Sequence, residues 1–195
     1  MHSKLFYVIL TAGTLLFSCK QNGDEKTLSK DEKQEVMQNK NNRVSPTETA
    51  SDTIGGNEVT IVYGSPRVKG RVIWGGLVPY NEVWRMGANE ASTIQFTKDV
   101  FVQGQPLKKD TYSVFALPSE NEWTIIFSTN EKQWGAFKYN ESEDALRIKV
   151  KPVFVDSLQE NMTLSIEPDP ANPNKGSVKL WWEKLQVKFD FENAQ

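Results

Sequence analysis

The fold class this sequence predicts is an antiparallel β-sandwich of about nine or ten strands, Ig-like or jelly-roll in kind. Three observations carry that expectation. Apolar and polar residues alternate with period two in many short runs, as in Leu146-Arg-Ile-Lys-Val150. Clusters of Gly, Pro, Asn and Asp interrupt those runs about every 8 to 12 residues. No stretch of this region holds a 3.6-residue apolar period of helical length. A closed barrel is the competing closure, and the strand order is not legible from one sequence.

The chain opens differently. Lys4 supplies a positive end, and the apolar run Leu5 to Phe17 follows. That run is shorter than the roughly 20 apolar residues of a membrane span and suits the core of a signal peptide. It ends in Leu16-Phe17-Ser18-Cys19, which resembles a bacterial lipobox. Residues 1–18 are therefore expected to be a lipoprotein signal peptide, with Cys19 carrying the lipid as residue one of the mature chain. Residues 19–57 read as a flexible tether, polar and without an aromatic side chain, unable to bury enough apolar surface to offset chain entropy. Ser29-Lys-Asp-Glu32 has the form of a capping box, but plain disorder is the reading adopted. A coil of this length spans about 30 to 40 Å.

The folded domain is expected over residues 58–192. Strand signals come in order. Val59, Ile61 and Tyr63 alternate with polar neighbours, as do Ile94 and Phe96. Val100 to Val102 is a short run broken at Gly104-Gln-Pro106. Thr111 to Leu117 stops at Pro118-Ser-Glu-Asn121. Trp123-Thr-Ile-Ile-Phe127 has the near-continuous apolarity of a central strand. Leu146 to Val150, Met162 to Ile166, Val178 to Trp182 and Val187 to Phe191 alternate again, with a long Pro/Asn turn over 167–176.

Processing would leave 22 basic against 25 acidic side chains, a net charge of −3, and would remove His2 and use Cys19 as the anchor. The mature chain then has no imidazole and no free thiol. A Ser-His-Asp triad, a Cys nucleophile, a His zinc site and a disulfide are all excluded. Mild acidity without a basic block argues against nucleic acid. Asn140-Glu-Ser-Glu-Asp144 and Asp169 to Asn174 offer oxygen ligands, but neither completes a calcium loop. No metal and no cofactor are expected.

The stretch from Trp74 to Phe96 departs from strand-and-turn patterning. It sets two Trp, a Tyr, an Arg, two Glu and two Asn in a backbone shaped by three Gly and one Pro. Polar and aromatic groups in such a loop beside strands are what a binding rim looks like. Tyr63-Gly-Ser-Pro-Arg-Val-Lys-Gly70 precedes it. Together with Gly75-Gly-Leu-Val-Pro-Tyr80, Val83-Trp-Arg85, Gly87-Ala-Asn-Glu-Ala91, Gln133-Trp-Gly135 and Trp182-Glu183, that motif resembles a bacterial family catalogued as domain of unknown function 2911. Met86 stands where the family pattern leads one to expect Thr. The resemblance spans essentially the whole folded domain. It implies a β-rich envelope protein, lipid-anchored or secreted, and no activity.

Candidate ligand-binding residues are Tyr80, Trp84, Arg85, Asn89, Glu90 and Trp134. Arg85 lies between apolar neighbours, and a guanidinium with a buried stem must be paired. One reading pairs it with Glu90, or with the nearby Glu82, while Asn89 bridges loop backbone. The other has Arg85, Asn89 and Glu90 lining a pocket. Trp134 is loop-borne, and an exposed Trp beside Asn, Glu and Arg suits a sugar ring. Trp181 and Trp182 occupy opposite faces of one strand, so one of them should lie outside the core.

The leading function is a non-enzymatic binding or structural module of the cell envelope, held by lipid at the outer membrane and facing periplasm or exterior. Its partners would be the membrane through Cys19 and a glycan or an envelope protein. The alternative is a glycan-active enzyme using two of Glu82, Glu90, Glu141, Glu143 and Asp144, which must sit about 5 to 10 Å apart across a cleft.

Overall fold

The computed structural model describes residues 43–194. The expected signal peptide, Cys19 and most of the expected tether lie outside the described residues. The described chain is all-β: ten strands in two antiparallel sheets, with one short 3₁₀ turn at Glu141–Glu143. The strands are β1 (Thr47–Ile54), β2 (Asn57–Gly64), β3 (Ser92–Phe96), β4 (Val100–Val102), β5 (Gln105–Leu107), β6 (Asp110–Leu117), β7 (Trp123–Ser128), β8 (Asp144–Val150), β9 (Val153–Pro168) and β10 (Lys175–Asn193). One sheet has six strands in the order β1-β2-β3-β6-β7-β8 and the other four in the order β5-β4-β10-β9.

The alternation read from sequence places the core. Val59, Ile61 and Tyr63 of β2 point inward, as do Leu146, Ile148 and Val150 of β8. Strand β7 is buried along its whole length, which is why it lacks alternation. One of its faces meets the inter-sheet core. The other is covered by a small cluster in which Phe115 and Ile126 pack against Val83, Ala136 and Tyr139.

Three features depart from the expectation. Residues 47–54, read as tether, form β1, which pairs with β2 in continuous register from Thr47↔Gly64 to Ile54↔Asn57. Only Ile54 of this strand is buried, so its sequence has no alternating stripe to announce it. Backbone hydrogen bonding along the β2 edge holds β1 in place. The folded unit therefore begins before the expected boundary at 58. Strand β5 follows a turn at Gln103 and Gly104, both left-handed, and its Pro106 lies at the sheet edge, where no ladder donor is needed.

The third departure is β10. Val178 to Trp182 and Val187 to Phe191 belong to one strand, not two. Its inward residues are Val178, Leu180 and Trp182, then Leu185, Val187, Phe189 and Phe191. The phase slips by one between Trp182 and Leu185. The ladder to β9 is irregular there, and Glu183 has φ 55°. A bulge that inserts one residue accounts for the slip and bends the strand. Trp182 is core and Trp181 only partly buried, as opposite faces require.

Candidate binding site

The chain between β2 and β3 closes one end of the sandwich. Beyond Ser92, the free edge of β6 is taken by Trp84, whose backbone N–H and C=O both pair with Ala116 at 2.7 Å. On the other side, Val68 N–H donates to Glu160 O, and Met162 N–H to Pro66 O, each at 2.8 Å. Residues 66–68 thereby tie the loop to β9 in the second sheet.

Trp74, Trp84, Trp123 and Trp182 meet beneath this loop. Trp74 packs edge-to-face on the other three at ring distances of 5.0 to 5.8 Å, and Trp84 lies stacked on Trp182 at 6.1 Å. Trp84 Nε1–H donates to Gly87 O at 3.2 Å. The indole N–H groups of Trp74, Trp123 and Trp182 are buried without an oxygen acceptor. Their edge-to-face packing places π faces nearby, weaker acceptors to which an indole N–H can donate.

The backbone here is unusual. Asn81, Met86 and Asn89 have φ of 61°, 49° and 65°. Asn tolerates the left-handed region; a buried Met does not without support. Ser92 provides that support with its hydroxyl on Met86 O at 2.8 Å and its N–H on Arg85 O at 3.1 Å. Close approach adds a further constraint, since a Cβ on Gly64 would sit 2.1 Å from Ala88 O.

The six candidate residues fall into three places. Tyr80 lies apart, its ring against Gly75, with burial raising its hydroxyl pKa. Trp84 and Arg85 line a pocket of about 330 Å³ between the loop and Val44-Ser45. Glu90 and Trp134 line a groove of about 390 Å³ with Thr47, Thr93, Glu131 and Gln133. Asn89 joins the elements: its side-chain amide donates to Ser45 O at 3.0 Å, and its carbonyl accepts from Gly135 N–H at 3.1 Å.

The pairing of Arg85 with Glu90 does not form. Glu90 takes Arg43 at 2.6 Å, and among the described residues Arg85 has no ion pair. Arg85 Nε is buried without an acceptor, and desolvation lowers its pKa. The loop is fixed instead by Trp84, Asn89 and Ser92. Arg43, inside the expected tether, went unread because its role depends on the chain folding back beside residues 89–91.

Trp134 is on the loop between β7 and β8. It forms an isolated bridge with Glu90, and Ala91 N–H donates to Gln133 O at 2.9 Å. Of the six Trp, all of them among the described residues, Trp134 alone is exposed, at 60%. Gly135, at φ 68°, turns the chain so that Phe137, also exposed, lies over it. The Arg43 guanidinium sits 5.9 Å from the Trp134 ring centre. Gln133 is buried; its amide N–H donates to Asn130 O at 3.1 Å, while Oε1 has no partner.

The carboxylates of the catalytic alternative fall in three places, with Glu141, Glu143 and Asp144 together at the 3₁₀ turn. Glu82 is exposed on the end loop. Glu90 lies in the Trp134 groove. Glu141 pairs with Arg147, and Glu143 accepts from Asn130 Nδ2. Asp144 accepts from the Tyr139 hydroxyl at 2.7 Å, with Arg147 Nε at 3.5 Å. Burial raises the Asp144 pKa, opposed by those two partners. No group of three or more metal-ligating side chains occurs among the described residues.

Residues 45–191 match the model of a family described as a protein of unknown function, DUF2911. The chain belongs to this family. The matched span starts beside β1 and ends in β10, so the DUF2911 match and the two-sheet unit coincide closely. The family motifs read in sequence lie in the end loop, in residues 66–68 against β9, at Gln133 to Gly135, and at Trp182-Glu183 in β10. No curated protein and no solved structure matches the chain.

Proposed function

We propose that this DUF2911 protein is a lipid-anchored module of the bacterial cell envelope that binds a glycan without transforming it. The observation that carries the reading is the exposed Trp134 beside Gln133, whose buried Oε1 has no partner. A pyranose presents an apolar face to an indole and hydroxyl donors to an amide oxygen and to carboxylates. Glu90 and Glu131 line the same groove, as do Thr47 and Thr93. The groove is preformed: the Trp134 loop is tied by backbone hydrogen bonds to residues 89 and 91. Binding is favoured over catalysis because Glu90, Glu141, Glu143 and Asp144 are each held by a cation, an amide or a hydroxyl. The pocket beside Arg85 has no carboxylate in its lining.

Anchoring rests on the lipobox ending at Cys19. The test has two arms. Cys19→Ala should move the protein out of the membrane fraction and abolish metabolic lipid labelling. Co-sedimentation of the Cys19→Ala protein with purified cell-wall polysaccharide should weaken about tenfold on Trp134→Ala, a loss of about 1.4 kcal/mol. Unchanged fractionation and labelling would overturn the anchor; unchanged sedimentation would overturn the glycan groove.

A further inference from the structure

We propose that the pocket beside Arg85 is a second binding site, for a phosphate-type oxyanion. Four cationic side chains line it: Arg67, Lys69, Arg71 and Arg85. Its lining includes no Asp or Glu. This is a local excess in a chain whose net charge is −2. Acidic partners are not scarce elsewhere, because exposed Lys and Arg are paired on several other surfaces, as in Lys108–Asp99 and Lys175–Glu192. Among the described residues, none of the four lining cations has a carboxylate within ion-pair distance. A protein that gathers like charges in one concavity and leaves them uncompensated works against Coulomb repulsion, and a bound anion relieves it.

The pocket is also organised. Arg71 Nε–H donates to Val68 O at 3.1 Å, and its Nη2 to Arg67 O, so this guanidinium fixes the turn that carries Arg67 and Lys69. Lys69 N–H donates to Glu160 Oε1 at 3.0 Å, which ties that turn to β9 through backbone and leaves the ammonium free of the carboxylate. Trp84 and Trp182 form apolar walls, and Arg85 Nε is buried beside them with no acceptor. Guanidinium forks match the oxygens of a phosphate two at a time, and low-dielectric walls strengthen each contact. Val44 and Ser45 line this pocket and Thr47 the Trp134 groove, so the two sites flank one segment of chain.

The probes are sodium tripolyphosphate and inorganic phosphate, titrated into the Cys19→Ala protein by calorimetry, with KCl of equal ionic strength as control. A third probe is phosphatidylglycerol vesicles against phosphatidylcholine vesicles. The variants are Arg85→Gln and the double change Arg67→Gln with Lys69→Gln. The double change alters exposed side chains and should leave the melting temperature without ligand as it is, so it carries the test if Arg85→Gln fails to fold. Saturable 1:1 binding of tripolyphosphate, weakened at least tenfold in the variants, supports the site and a soluble ligand. Binding to phosphatidylglycerol vesicles alone, with the same dependence on the variants, supports it with a lipid headgroup as the source. The proposal is overturned if tripolyphosphate does no more than KCl and vesicle binding is equal in wild type and variants. None of these substitutions touches the Trp134 groove, so failure here leaves the glycan reading standing.

Discussion

The Ser92 hydroxyl donates to the Met86 carbonyl at 2.8 Å, and Met86 is held at φ 49° in the core. One buried hydrogen bond thus maintains a backbone conformation that a Met would otherwise leave, and that conformation turns the end loop between Arg85 and Asn89. Ser92→Ala should cost about 1 to 3 kcal/mol, because it leaves the buried Met86 carbonyl unpaired. Urea unfolding measures this. A loss below about half a kcal/mol would mean that the loop holds its shape without Ser92.

Strand β1 belongs to the folded unit although most of its side chains are exposed. A chain beginning at Glu58 loses eight residues of ladder, bares the edge of β2 and removes the buried Ile54. Burial of that side chain alone contributes about 1.5 to 3 kcal/mol. The melting temperature should fall by at least about 3 °C relative to a chain beginning at Arg43, at about 2 to 4 °C per kcal/mol for a domain of this size. Equal melting temperatures would show β1 to be dispensable.

Asp144 makes stability depend on pH in a definite direction. Burial raises its pKa in the folded chain, so it ionises less readily there than when unfolded. As pH climbs past the unfolded value, about 3.9, the unfolded state loses a proton that the folded state still holds, and stability falls. Asn at this position cannot ionise. The stability of Asp144→Asn relative to wild type should therefore rise with pH from about 3 until the folded carboxyl has titrated, and then stay level. Urea midpoints across that range report it; a constant difference would contradict it.

The sandwich was legible because its inward residues alternate so plainly in β2 and β8, and β7 gave itself away by lacking alternation. What escaped did so for physical reasons. Strand β1 is fixed by backbone pairing, which leaves no mark on side-chain pattern. The β10 bulge reverses the phase of alternation, so one strand reads as two. At the candidate site, residue types were legible but their grouping was not. Arg85 and Glu90 are five positions apart in sequence yet face different pockets, because Met86 and Asn89 both turn the chain through the left-handed region between them. A double-mutant cycle on Arg85 and Glu90 should accordingly show coupling below about half a kcal/mol. Coupling of 1 kcal/mol or more would restore the pair.

The central claim is that Trp134 is a sugar platform, and its indole N–H reports on this directly. The protein has six Trp, and Trp134→Phe identifies the Trp134 resonance among the indole signals of a ¹⁵N-labelled sample. Titration with a panel of soluble cell-wall oligosaccharides should shift that resonance saturably while the resonances of Trp123 and Trp182, deep in the core, stay in place. The account is contradicted if no saccharide in the panel moves the Trp134 signal, or if an oligosaccharide binds with equal affinity to wild type and Trp134→Ala.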